Sequence, residues 1–143
     1  MKLTKICNLK IILAALLFIN FNIKKTEIQN IIMFKLHSDN ITKEANSEII
    51  AFGNEFKTLY RDDYGKYIEL RNYTCNFELN KNALIGFKRA KKIYDILENE
   101  CLIPRSKVHY IDISNRDLLG VMGKEACESM MKTKRVGIKL EVH

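Results

Sequence analysis

Four residues in one short run have the types and spacing to act together: Thr74, Cys75, Asn82 and Arg89. Thr74 and Cys75 end an alternating apolar segment that begins Tyr67-Ile68-Glu69-Leu70. Asn82 precedes a helical stretch, and Arg89-Ala90 follows about two turns in. This order puts backbone amides, side-chain donors and one cation around a single concave edge. Helix-start amides and a guanidinium both favour negative charge, so the edge suits a small carboxylate-bearing ligand. Asn82 is expected as a helix cap or loop organiser. Thr74 either donates to a ligand or satisfies the backbone at its strand end. Arg89 is either the ligand arginine or an exposed helix arginine that pairs locally.

Other chemistries find less support. Cys75 as a nucleophile needs a nearby base and an electropositive pocket, and no histidine stands in its loop. A disulfide from Cys75 to Cys101 or to Cys127 accounts for it better, and sequence does not choose between them. His37, His109 and His143 are scattered, read as two strand-borne histidines and a terminal one. No CxxC or Cys/His spacing resembles a zinc site, and no glycine-rich loop cradles phosphate. Paired carboxylates in a common loop and a Ser-His-Asp arrangement are also missing. A non-enzymatic protein without metal or cofactor is expected.

The elements around these residues follow from periodicity. Ile31 to Leu36 is apolar and partly β-branched, a strand broken by Ser38-Asp39-Asn40. From Thr42 a helix is expected, with Ala45, Ile49, Phe52, Phe56 and Leu59 on one face. Tyr67 to Tyr73 forms the second strand. The second helix spans about Asn82 to Glu98, buries Gly86, Ala90, Ile93 and Leu97, and stops before Pro104. Val108 to Ile113 is a third strand, Lys124 to Met131 a short helix, and Arg135 to Val142 a closing strand of period two. The order predicts an α/β fold: a two-layer α+β sandwich of βαβαββ type, two main helices on one face of a small mixed sheet.

Charge belongs mostly to the N-terminus. The 143-residue chain carries a formal +7, yet residues 1 to 28 hold Lys2, Lys5, Lys10, Lys24 and Lys25 against Glu27 alone. The rest has 19 of the 24 basic and 16 of the 17 acidic side chains, too even for a polyanion footprint, so no nucleic-acid partner is expected. Met1 to Lys10 is a basic leader and Ile11 to Phe21 an apolar run of about eleven residues, shorter than the roughly twenty of a full span. No small-x-small triplet follows it. Residues 1 to 28 therefore read as a signal peptide or an uncleaved membrane anchor with a short joint, and residues 29 to 143 as one exported domain.

The order and local motifs together resemble the OmpA C-terminal-like domain, the family of peptidoglycan-associated lipoproteins and flagellar stator proteins. The matching pieces are Tyr73-Thr74-Cys75, Asn82, Ile85-Gly86 with Arg89-Ala90, Ile103-Pro104, and Lys134-Arg135-Val136 opening the last strand. They span about residues 31 to 142. The resemblance implies a periplasmic or cell-envelope location, at the outer membrane in some relatives, and non-covalent docking on peptidoglycan. In the family a loop aspartate holds the amino group of the stem peptide's diaminopimelate and the helix arginine holds its carboxylate. Arg89 matches that arginine and Asn82 the loop asparagine, while Arg135 either buttresses the site from the last strand or is an exposed strand arginine. The aspartate's position is Cys75, a poor acceptor, and Glu78 is the nearby acid able to swing in with the missing charge. Losing one charge-assisted contact costs on the order of 1.5–3 kcal/mol, so weakened or altered binding is expected. The alternative is an interaction protein of an envelope assembly, partnered by other envelope proteins, that keeps the fold without the ligand.

Overall fold

Strand β2, Ile68–Tyr73, lies inside the sheet and sets the alternation on which the domain is built. The computed structural model describes residues 28 to 113, 123 to 132 and 137 to 143. Among them β1 is Gln29–Ile32, α1 Lys43–Tyr60, α2 Asn76–Leu79, α3 Ile85–Asn99, β3 Val108–Asp112, α4 Lys124–Lys132 and β4 Gly137–Val142. The sheet runs β1-β4-β2-β3. β4, last in the chain, is antiparallel to both β1 and β2, while β2 and β3 are parallel and joined across α3. The sheet is therefore mixed, as expected, with α1 and α3 sharing one apolar layer with it.

That layer is one continuous cluster. Ile32, Ile68, Leu70, Ile138 and Leu140 meet Ile49, Phe52 and Phe56 of α1 and Ala90, Ile93 and Leu97 of α3. The opposite sheet face is polar: Arg71 pairs with Glu69 and Glu141, and Lys139 with Glu141. Period two separates these sets, since neighbouring strand residues point to opposite faces.

α1 begins one residue past the expected start, with Thr42 as its cap, the hydroxyl accepting from the Ala45 N–H at 3.1 Å. Its buried stripe ends at Tyr60 rather than Leu59, which is 55% exposed. A true helix turns through 3.6 residues, so a strict four-three repeat drifts off the buried face by the last turn. At mid-helix a Cβ on Gly53 would meet Cys101 Sγ at 2.6 Å, so only glycine admits that close approach.

Two expected boundaries need correction. The first strand ends at Ile32, not Leu36, because the chain then turns through a Ser38 N–H to Lys35 carbonyl bond and His37 takes a left-handed φ of 58°. His37 is thus a turn residue, not a strand residue. The second helix starts at Ile85 and not Asn82, and the polar loop before it contains the single-turn α2, whose four residues are too few for a periodic signal. The expectations for residues 1 to 27, for the loop around Gly120 and for Arg135 at the start of the last strand lie outside the described residues.

Candidate functional site

The carboxyl end of β2 carries its helix-facing residues one step past the apolar core. Ile68 and Leu70 are followed on the same face by Asn72 and then Thr74, both fully buried. The Thr74 hydroxyl donates to Asn72 Oδ1 at 2.8 Å, and Asn72 Nδ2 donates to Asp112 Oδ1 of β3 at 3.0 Å. α3 reaches this corner because Gly86 lies against the Asn72 side chain, whose Cγ a Cβ at residue 86 would meet at 2.5 Å. The glycine lets the helix seat directly on the strand end.

From there the chain makes α2. The Cys75 carbonyl accepts from the Glu78 and Leu79 N–H groups, and the Glu78 carbonyl accepts from the Asn82 N–H at 2.9 Å. Asn82 then organises the entry to α3: its Oδ1 accepts from the Leu84 N–H at 3.2 Å and its carbonyl from the Ile85 N–H. Asn82 is half-buried, a turn residue three positions ahead of the helix. An asparagine side chain suits that task because it can bond the backbone two residues on.

Arg89 points inward from the second turn of α3, and none of its surface is exposed. Its Nη1 donates to Glu78 Oε2 at 2.9 Å and its Nη2 to Glu78 Oε1 at 2.5 Å. Nε donates to the Ser38 carbonyl at 2.9 Å, and Nη2 also to the Lys35 carbonyl at 3.1 Å. The Phe34 ring lies 5.0 Å beneath the guanidinium. Glu78, equally buried, accepts a further bond from the His37 N–H at 2.8 Å. The fork that could grip a ligand carboxylate thus grips the chain's own, in the two-pronged geometry that makes arginine–carboxylate pairs strong.

Cys75 is joined to Cys127 of α4, Cα to Cα 5.9 Å, with Leu36, Phe77, Met130 and Met131 packed around the bridge. Cys101 is left as a free thiol buried under α1, and burial raises its pKa. Beside the site, Phe87, Ala90, Tyr94 and Tyr110 line an open cleft of about 370 Å³. Burial, and then the Asp112 carboxylate, push the Tyr110 phenol up to about 12.

Of the residues singled out from sequence, Thr74, Cys75, Asn82 and Arg89 come together at this corner, while Arg135 lies outside the described residues. Glu78, read as an acid able to swing in, does so, but onto Arg89. The 34–38 segment was missed as part of the site. Its signal was the apolar pair Phe34 and Leu36, which reads as strand because strands and loop plugs share that composition.

No protein-family model matches the chain, and no curated protein matches it. Solved structures do. The C-terminal domain of Helicobacter pylori MotB is 14% identical, with a TM-score of 0.59 over 80% of this chain and 84% of that one. The peptidoglycan-associated lipoprotein from Burkholderia pseudomallei is 11% identical at a TM-score of 0.57, covering 78% and 88%. The OmpA-like domain of FopA1 from Francisella tularensis is 13% identical at 0.55, covering 87% and 84%. The chain has the OmpA-like fold. Within this fold Arg89, Thr74 and Asn82 stand at one corner, and Cys75 beside them is bridged to Cys127.

Proposed function

We propose that this protein is a cell-envelope binding module of the peptidoglycan-associating kind, located in the periplasm, whose docking on the diaminopimelate stem peptide is weakened. Its similarity in fold to a peptidoglycan-associated lipoprotein and to periplasmic domains of MotB supports the location and the partner. The observation that carries the weakening is the Glu78 carboxylate seated on Arg89. An incoming carboxylate must displace it, and an incoming ammonium finds Cys75 in a disulfide where an acid would attract it. In this reading Arg89, Asn82 and Thr74 form the ligand corner with Arg135 assigned to buttress it, residues 11 to 21 export the domain or, left uncleaved, tether it to a membrane, and the chemistry is binding without catalysis.

Co-sedimentation of the full-length protein with purified sacculi tests this. Wild type is expected to pellet weakly, and Glu78→Gln, which removes the competing charge while keeping shape, to pellet more. If wild type and Glu78→Gln pellet alike, Arg89 is no ligand residue. A second reading is favoured by the complete burial of Arg89: the domain serves as one piece of an envelope assembly and binds other envelope proteins instead. Under that reading neither protein pellets, and cross-linking in cells captures envelope proteins in place of wall fragments.

A further inference from the structure

The chain's entry point and its candidate site occupy opposite ends of the sheet. Gln29, Glu141, Glu69 and His109 form one row across the four strands, and Ile32, Ile138, Asn72 and Asp112 another. The described chain enters at Ile28, beside the first row, whereas Cys75 and Arg89 lie beyond the second. The first pole also holds the turn before β2 and the turn between α3 and β3.

Two large apolar side chains stand out there, flanking one cleft. Tyr64 is 90% exposed and Leu102 76%. Neither is a loose loop residue. Lys107 Nζ donates to the carbonyls of Asp63, Tyr64 and Lys66 and so holds the Tyr64 turn open. Leu102 sits at a φ of 57°, a left-handed position that favours glycine, in a turn closed by the Ile103 N–H on the Leu97 carbonyl at 3.0 Å. An apolar side chain kept out in water on a glycine-favouring backbone points to a surface that is covered in use. Lys57 and Arg61, on the same cleft, have stems long enough to lay along an apolar layer with the charge in the headgroups.

What covers it follows from reach. Only six residues, 22 to 27, separate the apolar run ending at Phe21 from Ile28, and such a joint spans at most about 20 Å. We infer that the Tyr64–Leu102 pole lies against the phospholipid surface of the membrane that holds residues 11 to 21, with tyrosine at headgroup level and the Arg89 corner turned away from the bilayer. This rests on the tether reading given above.

The chain contains no tryptophan, so single tryptophans report depth cleanly. The full-length protein is reconstituted in vesicles of phosphatidylcholine and phosphatidylglycerol, with and without brominated acyl chains. Four proteins are compared: Phe18→Trp in the apolar run, Tyr64→Trp and Leu102→Trp at the pole, and Leu84→Trp at the opposite end, where Leu84 is exposed. Brominated lipid is expected to quench Phe18→Trp, Tyr64→Trp and Leu102→Trp and to leave Leu84→Trp at full intensity. Quenching of Phe18→Trp alone overturns the contact while keeping the tether. An unquenched Phe18→Trp removes the tether and the inference with it, and equal quenching of Leu84→Trp and Tyr64→Trp shows that no one pole faces the lipid.

Discussion

Arg89 and Glu78 are eleven residues apart in the chain, and their side chains meet in a two-pronged ion pair with no exposed surface on either partner. A buried pair of this kind adds little against an apolar replacement, but removing one partner strands a charge where water cannot reach it. The pair therefore fixes the corner more than it stabilises the fold.

Removing one partner is expected to cost about 3–5 kcal/mol in urea unfolding, for Arg89→Met or for Glu78→Leu. The double variant should recover much of that loss, because no unpaired charge remains. Additive losses in the double variant would mean that the two groups are held by their other bonds and not by each other.

The Cys75–Cys127 bridge closes a sequence separation of 52 residues. In the chain-entropy model such a loop is worth about 4 kcal/mol, so Cys75→Ser with Cys127→Ser should lower the thermal midpoint clearly. Adding a dithiol reductant to wild type should reproduce the shift and leave the double variant unmoved. Peptide mapping under non-reducing conditions should find Cys75 linked to Cys127, with Cys101 slow to alkylate until denaturant is added. A Cys75–Cys101 peptide would contradict the arrangement.

Gly86 tests the seating of α3 on β2. Gly86→Ala drives a methyl group into the Asn72 side chain, and overpacking of this kind costs about 1–3 kcal/mol. Shrinking the obstacle with Asn72→Ser in the same protein should return part of the loss. Gly86→Ala unfolding at the wild-type urea midpoint would show that the helix does not approach so closely.

Tyr110 gives the alkaline limb of stability a definite sign. Its phenol is held neutral by burial and by Asp112, with a folded value of about 12 against 10 in the unfolded chain. The contribution is whole below pH 10 and is lost as pH rises toward 12, since the unfolded chain releases that proton first. Tyr110→Phe should therefore lose less stability than wild type between pH 10 and 12, measured by denaturant titration at each pH. Parallel slopes for the two proteins would assign the alkaline loss to other groups.

By itself the sequence determined the layers and most of the elements. The helix after Thr42 was legible because its apolar stripe repeats within a few residues, and Ile68, Leu70 and Asn72 share a face because period two is a local property of the strand. The Arg89–Ala90 helix and its corner were legible on the same terms. Only the tertiary structure decided what that corner holds. Arg89 reaches the carbonyls of Lys35 and Ser38 across 54 and 51 residues, and Cys75 finds Cys127 instead of Cys101. Contacts at such separations leave no periodicity to read. Which of several competent partners meets a given side chain is set by how the layers pack, and that packing turned an expected open edge into one filled from within.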